Sequence, residues 1–401
     1  MALTCSNTYI QRFLLRLSLC CATGLSGCLS PIALDHAVIA YDKSVTDILS
    51  KQLLLNIARA HQHQPLHFTG VSNIAATFNF QFNAGATPAL TGESGGMLLP
   101  VFGGSVSENP TISIVPIEGE EFTRRLLTPF QENKLTMLLR QGADVDLILR
   151  LLAGELHSHT AELNGIFLNK PKDIQGYTRF RQVVSHISSI QDNNQLFVEP
   201  LQFEQHWQLP SAGITPEQLM ELQKEFKLSY APGDATVQLT KHVLGRVVLT
   251  NYDPSLLSNA ERQRLHEEAD NNANNDIAID IRPGFPGGNW PIHGFFRLRS
   301  FHNVLNFIGL SISDDPEYLV NKHPKTPSIT ENPAQTMQIN VSEMEPEQAE
   351  LNILHAGKYY SLPPETGYPW NREGFRLLYQ IFQMTITDLA QQGAPSITIA
   401  K

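Results

Sequence analysis

The segment IAATFNFQFN, residues 74–83, places apolar residues at every second position and mostly polar residues between them. A period of two is typical of a β-strand with one apolar face. A second segment, SVSENPTISIV at residues 105–115, repeats the alternation after a Gly- and Pro-rich connection. The two segments therefore predict a long β-hairpin with a large loop.

Helix patterns flank this hairpin. Apolar residues recur every three or four positions from Asp35 to Ala60, which predicts one long helix. The same spacing predicts further helices over 118–128, 131–141, 144–158, 178–190, 216–226, 258–269, 297–309 and 371–387. Capping boxes formed by Thr215 with Gln218 and by Ser258 with Glu261 mark the starts of two of them. Strand patterns return at LFVEPLQF (196–203), RVVLTN (246–251), KYYSL (358–362) and, near the end of the chain, SITIA (396–400). This mixture predicts an α+β fold of antiparallel hairpins and sheets packed with helices.

The chain is long enough for two domains. We predict an N-terminal α+β domain over 28–210, with the long helix and the Gly-rich hairpin loop, and a C-terminal α+β domain over 211–401. The C-terminal domain contains a polar, Pro-rich loop at 311–336, whose composition favours disorder.

Residues 1–27 have the pattern of a signal peptide. Arg12 and Arg16 precede an apolar run from Leu17 to Leu25 that is too short to span a membrane, which takes about 20 residues. The run ends in Leu25-Ser26-Gly27-Cys28, which resembles the lipobox of bacterial lipoprotein precursors. That resemblance implies that the Cys28 thiol accepts a diacylglyceryl group and that cleavage leaves Cys28 as the new, acylated terminus. We therefore expect the lipid bilayer to be a partner of this chain.

All four cysteines lie at or before position 28, so a mature chain starting there has no disulfide and no cysteine metal site. Residue 29 is Leu rather than the Asp that the lipoprotein resemblance associates with inner-membrane retention, so we predict an outer-membrane, periplasm-facing location. The formal net charge of −10 argues against nucleic acid, whose binding depends on Lys and Arg.

Four short motifs suggest chemistry, and each has a simpler interpretation. GESGG at 92–96 resembles a serine-protease nucleophile turn, but too little chain precedes it and a flexible loop is favoured. The histidines of HQHQPLH (61–67) and of HSH (157–159) lack the spacing and the carboxylate of a metal site. DNNANNDIAID at 270–280 begins like a calcium loop but lacks its Gly and its final Glu. We predict no catalytic residue, no cofactor and no metal.

Several longer segments resemble an uncharacterised group of proteobacterial envelope lipoproteins. They include YDKSVTDILSKQLLLNIARA (41–60), PLHFTGVSNIAATFNFQFNAG (65–85), GEEFTRRLLTPF (119–130) and FRLRSFHNVLNFIG (296–309). The segments GKYYSLPPE (357–365) and REGFRLLYQIFQM (372–384) continue the likeness. The resemblance supports the location and carries over no catalytic residue.

The leading hypothesis is a non-enzymatic lipoprotein, a structural or assembly component of an envelope complex with protein partners. One alternative is a binding module for cell-wall or surface polysaccharide, for which Trp207, Trp290 and Trp370 are weak support. Another is an oligomeric pore-forming lipoprotein, because copies of the hairpin could form a homo-oligomeric ring; a hydrolase is the weakest. A cleft with converging Asp or Glu and His would favour the enzyme, and an apolar face would favour assembly.

Overall fold

The computed structural model confirms the α+β class and describes residues 29–88, 98–230, 235–365 and 367–386. The helices of this part are α1 (Leu29–His61), α2 (Glu120–Leu127), α3 (Glu132–Arg140), α4 (Val145–Leu152), α5 (Ile174–Asp192), α6 (Pro216–Leu222), α7 (Asn259–Asp270), α8 (Phe301–Ser311) and α9 (Trp370–Ile386). The strands are β1 (Phe68–Pro88), β2 (Leu98–Ile117), β3 (Ala153–Thr160), β4 (Leu163–Leu168), β5 (Phe197–Pro210), β6 (Lys227–Tyr230), β7 (Thr236–Thr250), β8 (Asp276–Ile281), β9 (Ile292–Leu298), β10 (Asn340–Ser342), β11 (Leu351–His355) and β12 (Lys358–Leu362).

The chain consists of two compact units, residues 1–54 and 55–401. The described part of the first unit is helical from Leu29 onward, so α1 begins six residues before Asp35, where the sequence predicts its start. Its apolar residues Val38, Ile39 and Ile48 are 57%, 61% and 47% exposed. Among the described residues, no helix has the length and apolar character needed to cross a membrane. The signal peptide and the lipobox lie outside the described residues.

A mixed sheet of seven strands forms the centre of the second unit. Its order is β4-β3-β9-β8-β7-β5, with β6 also paired to β7, and only the β7–β8 pair is parallel. Strand β5 ends at Pro210, the predicted domain boundary, and pairs with β7 beyond it. The two-domain division near Pro210 is therefore not confirmed, because one sheet draws strands from both sides of it.

Aromatic side chains hold helices to the sheet and to the root of the hairpin. Phe180 of α5 contacts Phe296 of β9 edge to face, with ring centroids 5.9 Å apart. Phe68, the first residue of β1, is fully buried, and its ring lies 5.1–6.2 Å from those of Phe122, Phe301 and Phe382. Burying rings of this size is a large part of core stability. The base of the hairpin is thus anchored among α2, α8 and α9.

The predicted hairpin is confirmed and is longer than expected. Strands β1 and β2 have 21 and 20 residues and form a two-stranded antiparallel sheet, which we call the ribbon. The register places Ile74 opposite Ile112 and Phe80 opposite Val106, with one irregularity between Val71 and Asn73. Two of the predicted apolar positions of β1 thus face apolar positions of β2, whereas Phe78 lies opposite Glu108 and Phe82 opposite Gly104. At about 3.3 Å per residue, the ribbon extends about 65 Å.

The Pro-rich loop predicted to be disordered is instead ordered against the helices. We call residues 312–339, between α8 and β10, the strap. The strap buries Asp315, Glu317, Val320 and Thr326 although it has no helix or strand. The prediction of disorder was wrong because buried polar contacts, rather than apolar periodicity, fix this segment.

Two predicted helices end differently in the structure. The helix expected over 144–158 stops at Leu152, and the rest of it is β3, in which Leu156 is buried. The helix expected over 297–309 begins only at Phe301, because Arg297 and Leu298 complete β9 and Ser300 caps α8 through the backbone of Asn303. The terminal strand expected at SITIA (396–400) lies outside the described residues.

Candidate functional site

A cleft between α7 and the β8–β9 pair brings together the strongest set of titratable side chains. The segment DIAIDI forms β8 with both faces covered, and its Asp280 lies directly opposite His293 of β9. Ser258 and Glu261 form the predicted capping box at the start of α7, whose second half carries Glu268 to the cleft. The register of two strands and the start of one helix therefore fix the three side chains.

Asp280 is the anchored member of this set. Only 6% of the residue is exposed, and its Oδ2 accepts hydrogen bonds from the Tyr252 hydroxyl at 2.5 Å and from Arg282 Nε at 2.6 Å. Its Oδ1 lies 3.2 Å from Nδ1 of His293. Burial raises the pKa of Asp280, but the hydrogen bonds from His293, Tyr252 and Arg282 outweigh it and hold that pKa below its usual range. Asp280 is therefore an ionised carboxylate.

His293 lies between two carboxylates. Its Nε2 is 3.5 Å from Glu268 Oε2, on the opposite side of the ring from Asp280. The hydrogen bond to Asp280 raises the pKa of His293, burial lowers it, and the negative charges of Asp280 and Glu268 raise it further, so the net shift is upward. The imidazole consequently keeps its proton to a higher pH than a free histidine does.

The cleft has a volume of about 270 Å³. Its floor is apolar and its rim is polar. The floor includes Val248, Leu265 and Ile279, and the rim includes His159, Asn271 and Asn272. Gly294 also lines it at a φ of 153°, and a Cβ there would lie 1.9 Å from the carbonyl oxygen of His157. The backbone at this point leaves room only for glycine.

This arrangement suits proton transfer and hydrogen bonding. An imidazole oriented by a buried carboxylate is the usual form of a general acid or base. The residues that line the cleft include no Ser, Thr, Cys or Lys, so the side chains there that could act as nucleophiles are carboxylates and imidazoles. Sequence reasoning missed the cleft. The sequence holds only a weak sign of it, which is an apolar DIAIDI strand with Asp276 at its start and Asp280 one residue before its end.

The predicted calcium-like loop leads into β8 without forming a cation site. Asp276 of this segment accepts hydrogen bonds from Arg297 at both carboxylate oxygens, at 3.0 and 3.2 Å. The side-chain amide of Asn272 donates to the carbonyl oxygen of Glu268. Among the described residues, no three His, Cys, Asp or Glu side chains are placed to hold a metal ion.

The histidines at and just after the end of α1 make contacts within the second unit. His61 lies 2.9 Å from the Tyr360 hydroxyl through Nδ1 and 2.8 Å from the Ser313 hydroxyl through Nε2. His63 lies 3.2 Å from the carboxylate of Asp314. The backbone amide and carbonyl of His67 both bind the Asn56 side chain, at 2.8 Å each. These residues therefore fasten the end of α1.

The remaining candidates from the sequence are the three tryptophans, the HSH segment, GESGG and Cys28. Trp290 and Trp370 are buried, at 1% and 7% exposure, so neither can form an open platform for a sugar ring. Trp207 is 40% exposed at the outer end of β5 and contacts Phe226 edge to face. His157 of the HSH segment binds Glu155 at 2.8 Å and stacks on Phe295, and GESGG, like Cys28, lies outside the described residues.

The ribbon is the second candidate, as a surface rather than a pocket. In the described part of the chain, β1 and β2 pair with each other and with no further strand. In an antiparallel pair, alternate residues direct their N–H and C=O groups away from the partner strand. In the described part of the chain, each outer edge therefore presents up to about ten residues whose backbone groups are not paired with another strand, although the prolines of the ribbon have no N–H to offer. Such an edge is a template for another strand.

In comparisons with known proteins, no family model, curated protein or solved structure matches this chain.

Proposed function

We propose that this chain is a lipid-anchored outer-membrane lipoprotein, facing the periplasm, that acts as a non-enzymatic structural component of an envelope assembly. The anchor is Cys28, as the lipobox and the resemblance to envelope lipoproteins imply. The observation that carries the assembly role is the ribbon, a rooted two-stranded sheet about 65 Å long whose edges are open in the described part of the chain.

The root of the ribbon supports this role. Phe68 is locked among three aromatic rings, whereas Ile114 and Val115 at the same end of the ribbon are exposed. Exposed β-structure with unsatisfied edges is costly for a monomer to maintain, because it invites pairing with other chains. A ribbon whose base is buried and whose remaining length is unpaired at its edges fits a component that is completed by a partner.

Anchoring is tested by labelling with palmitate in cells. Cys28→Ala removes the acceptor sulfur and should abolish labelling, whereas Cys21→Ala, within the predicted signal peptide, should leave labelling intact. Palmitate uptake by the Cys28→Ala chain would refute the anchor.

The assembly role is tested by purification in mild detergent. A paired deletion of 74–83 and 103–112 removes ten residues from each strand at positions that face each other, so the remaining register is kept. The shortened chain should lose envelope proteins that co-purify with the full chain. Trp207→Ser, at an exposed position on another strand, is the matched control and should retain them. Equal recovery with both variants would refute a role for the ribbon.

The cleft favours a second function, recognition or hydrolysis of cell-wall or surface polysaccharide. The observation behind it is the convergence of Asp280, Glu268 and His293 in one concave site. His293→Ala should reduce binding of the soluble chain to isolated cell-wall sacculi. His242→Ala, which changes an exposed histidine on β7, should not. Unchanged binding by both variants would remove the cleft from consideration.

A further inference from the structure

The ribbon differs from the rest of the chain in its charge. Residues 68–117 contain two charged residues, Glu93 and Glu108, and no Lys, Arg or Asp, whereas 17% of the whole chain is charged. Natural proteins protect open strand edges with charged residues, above all Lys, because charge opposes pairing with another chain. The ribbon lacks charged protection along most of its length, and its only edge-protecting features among the described residues are Glu108, four prolines and the irregularity between Val71 and Asn73. Its composition therefore suits edges that become paired.

The two edges also match each other. Strands β1 and β2 have nearly the same length, 21 and 20 residues, and run antiparallel. The outer edge of β1 in one molecule can thus pair over most of its length with the outer edge of β2 in another, with interruptions where a proline lacks an N–H. A different protein would need an open edge of about twenty residues to offer the same number of hydrogen bonds. A second copy of this chain has an open edge of that length, because it carries the same ribbon.

We infer that copies of this chain associate head to tail through their ribbons, with β1 of each copy beside β2 of the next. This inference rests on the proposed function and names the partner. Copies anchored by the same residue on one membrane surface share one orientation, so they are related by rotation about the membrane normal. Under such a rotation the edges that meet are β1 and β2, and they meet antiparallel. Repetition of this contact forms a ring, which leaves no open edge once it closes.

The test begins with the oligomeric state of the purified chain alone. The mature form in mild detergent and the soluble Cys28→Ala form are examined by sedimentation and native mass spectrometry over a range of concentrations. We expect a defined oligomer in detergent. The variant Asn79→Lys/Gln81→Lys places two positive charges on β1 and should weaken the apparent association at least about ten-fold. The control Ser229→Lys/Gln238→Lys adds the same charges at exposed positions of β6 and β7 and should leave it unchanged.

Cross-linking then tests the arrangement. One preparation carries Asn79→Cys on β1 and another carries Ser107→Cys on β2, both without Cys28. Mixing the two should give a cross-linked dimer several-fold more abundant than either preparation gives alone. Predominant β1–β1 or β2–β2 products would overturn the head-to-tail contact.

The remaining outcomes separate this inference from the proposed function. A monomer at all concentrations, or an oligomer that the lysines in the ribbon do not affect, would overturn self-association through the ribbon. If other envelope proteins still co-purify in a ribbon-dependent manner, the proposed function stands while the copy-to-copy contact fails.

Discussion

The strap and the ribbon contrast in how their backbones are held. The strap has no helix or strand, yet Glu317, Val320 and Thr326 are buried within it. The ribbon has two regular strands of about twenty residues, yet beyond its root each strand pairs only with the other in the described part of the chain. Regular backbone hydrogen bonding and firm attachment to a core are therefore separate properties. Buried side chains provide the second, and the strap has them.

Glu317 shows how the strap is attached. Its carboxylate accepts hydrogen bonds from the Tyr177 hydroxyl at 2.8 Å, from the Thr336 amide at 2.6 Å and from the Thr336 hydroxyl at 2.8 Å. It also lies 3.8 Å from the guanidinium of Arg181, and both side chains are fully buried. Next to it, Arg150 pairs with Asp146 and donates to the carbonyl of Pro333 in the strap.

The largest effect should follow from Glu317→Ala. The change leaves Arg181 buried without its carboxylate and leaves three donors without an acceptor, which should cost about 3–5 kcal/mol of unfolding free energy. Chemical denaturation of the soluble chain measures it. Lys325→Ala, which breaks the exposed ion pair between the strap and Glu162, is the control and should change stability little. Equal effects of the two changes would mean that the buried network does not hold the strap.

Acid should weaken the contact between the strap and α5 through His186. This buried side chain donates from Nε2 to the Gly287 carbonyl and accepts at Nδ1 from the Thr326 hydroxyl, and burial lowers its pKa to about 4. Because the pKa is lower in the folded state, stability is full above the unfolded value of about 6.5 and falls as pH drops toward 4. The loss should be about 3 kcal/mol. His186→Gln should flatten the dependence of unfolding free energy on pH between 6.5 and 4, and an unchanged slope would contradict this account.

A smaller effect should follow from Thr326→Val. The valine keeps the shape but cannot donate to Nδ1 of His186, which then remains as a buried acceptor without a partner. The expected cost is about 1–2 kcal/mol, measured by denaturation. Thr330→Val, at an exposed position in the strap, is the control. A cost as small as that of the control would show that packing alone positions this part of the strap.

The smallest effect should follow from changes in the ribbon. Asn79→Gly should alter the unfolding free energy of the second unit by no more than about 0.5 kcal/mol, because the ribbon beyond its base contributes little to the stability of the core. Amide hydrogen exchange, measured on the soluble chain, should be slow in the strap and fast in the part of the ribbon beyond its buried base. Comparable protection in both segments would remove the contrast drawn between them.

Local patterns predicted much of the fold because they depend on near neighbours in sequence. The alternation from Ile74 to Asn83 predicted the ribbon, and the capping boxes at Thr215 and Ser258 predicted the starts of α6 and α7. The strap could not be predicted in this way, because Glu317 meets Tyr177 at a separation of 140 residues. The cleft was equally hidden, because Asp280 and His293 meet only through the register of β8 and β9.

The distance in sequence between Glu317 and its partners also sets an order of events. A chain that is synthesised from its N-terminus presents Arg150 and Arg181 well before residue 317 arrives. Until then, Asp146 balances one of the two guanidinium charges, and the other lacks the carboxylate that lies beside it in the finished fold. Burial of an unbalanced charge is strongly unfavourable, so α4 and α5 cannot close fully around it. Closure of α4 and α5 around the two arginines therefore waits for the strap, and α9, which follows it in sequence, then adds Trp370 and Phe382 to the core.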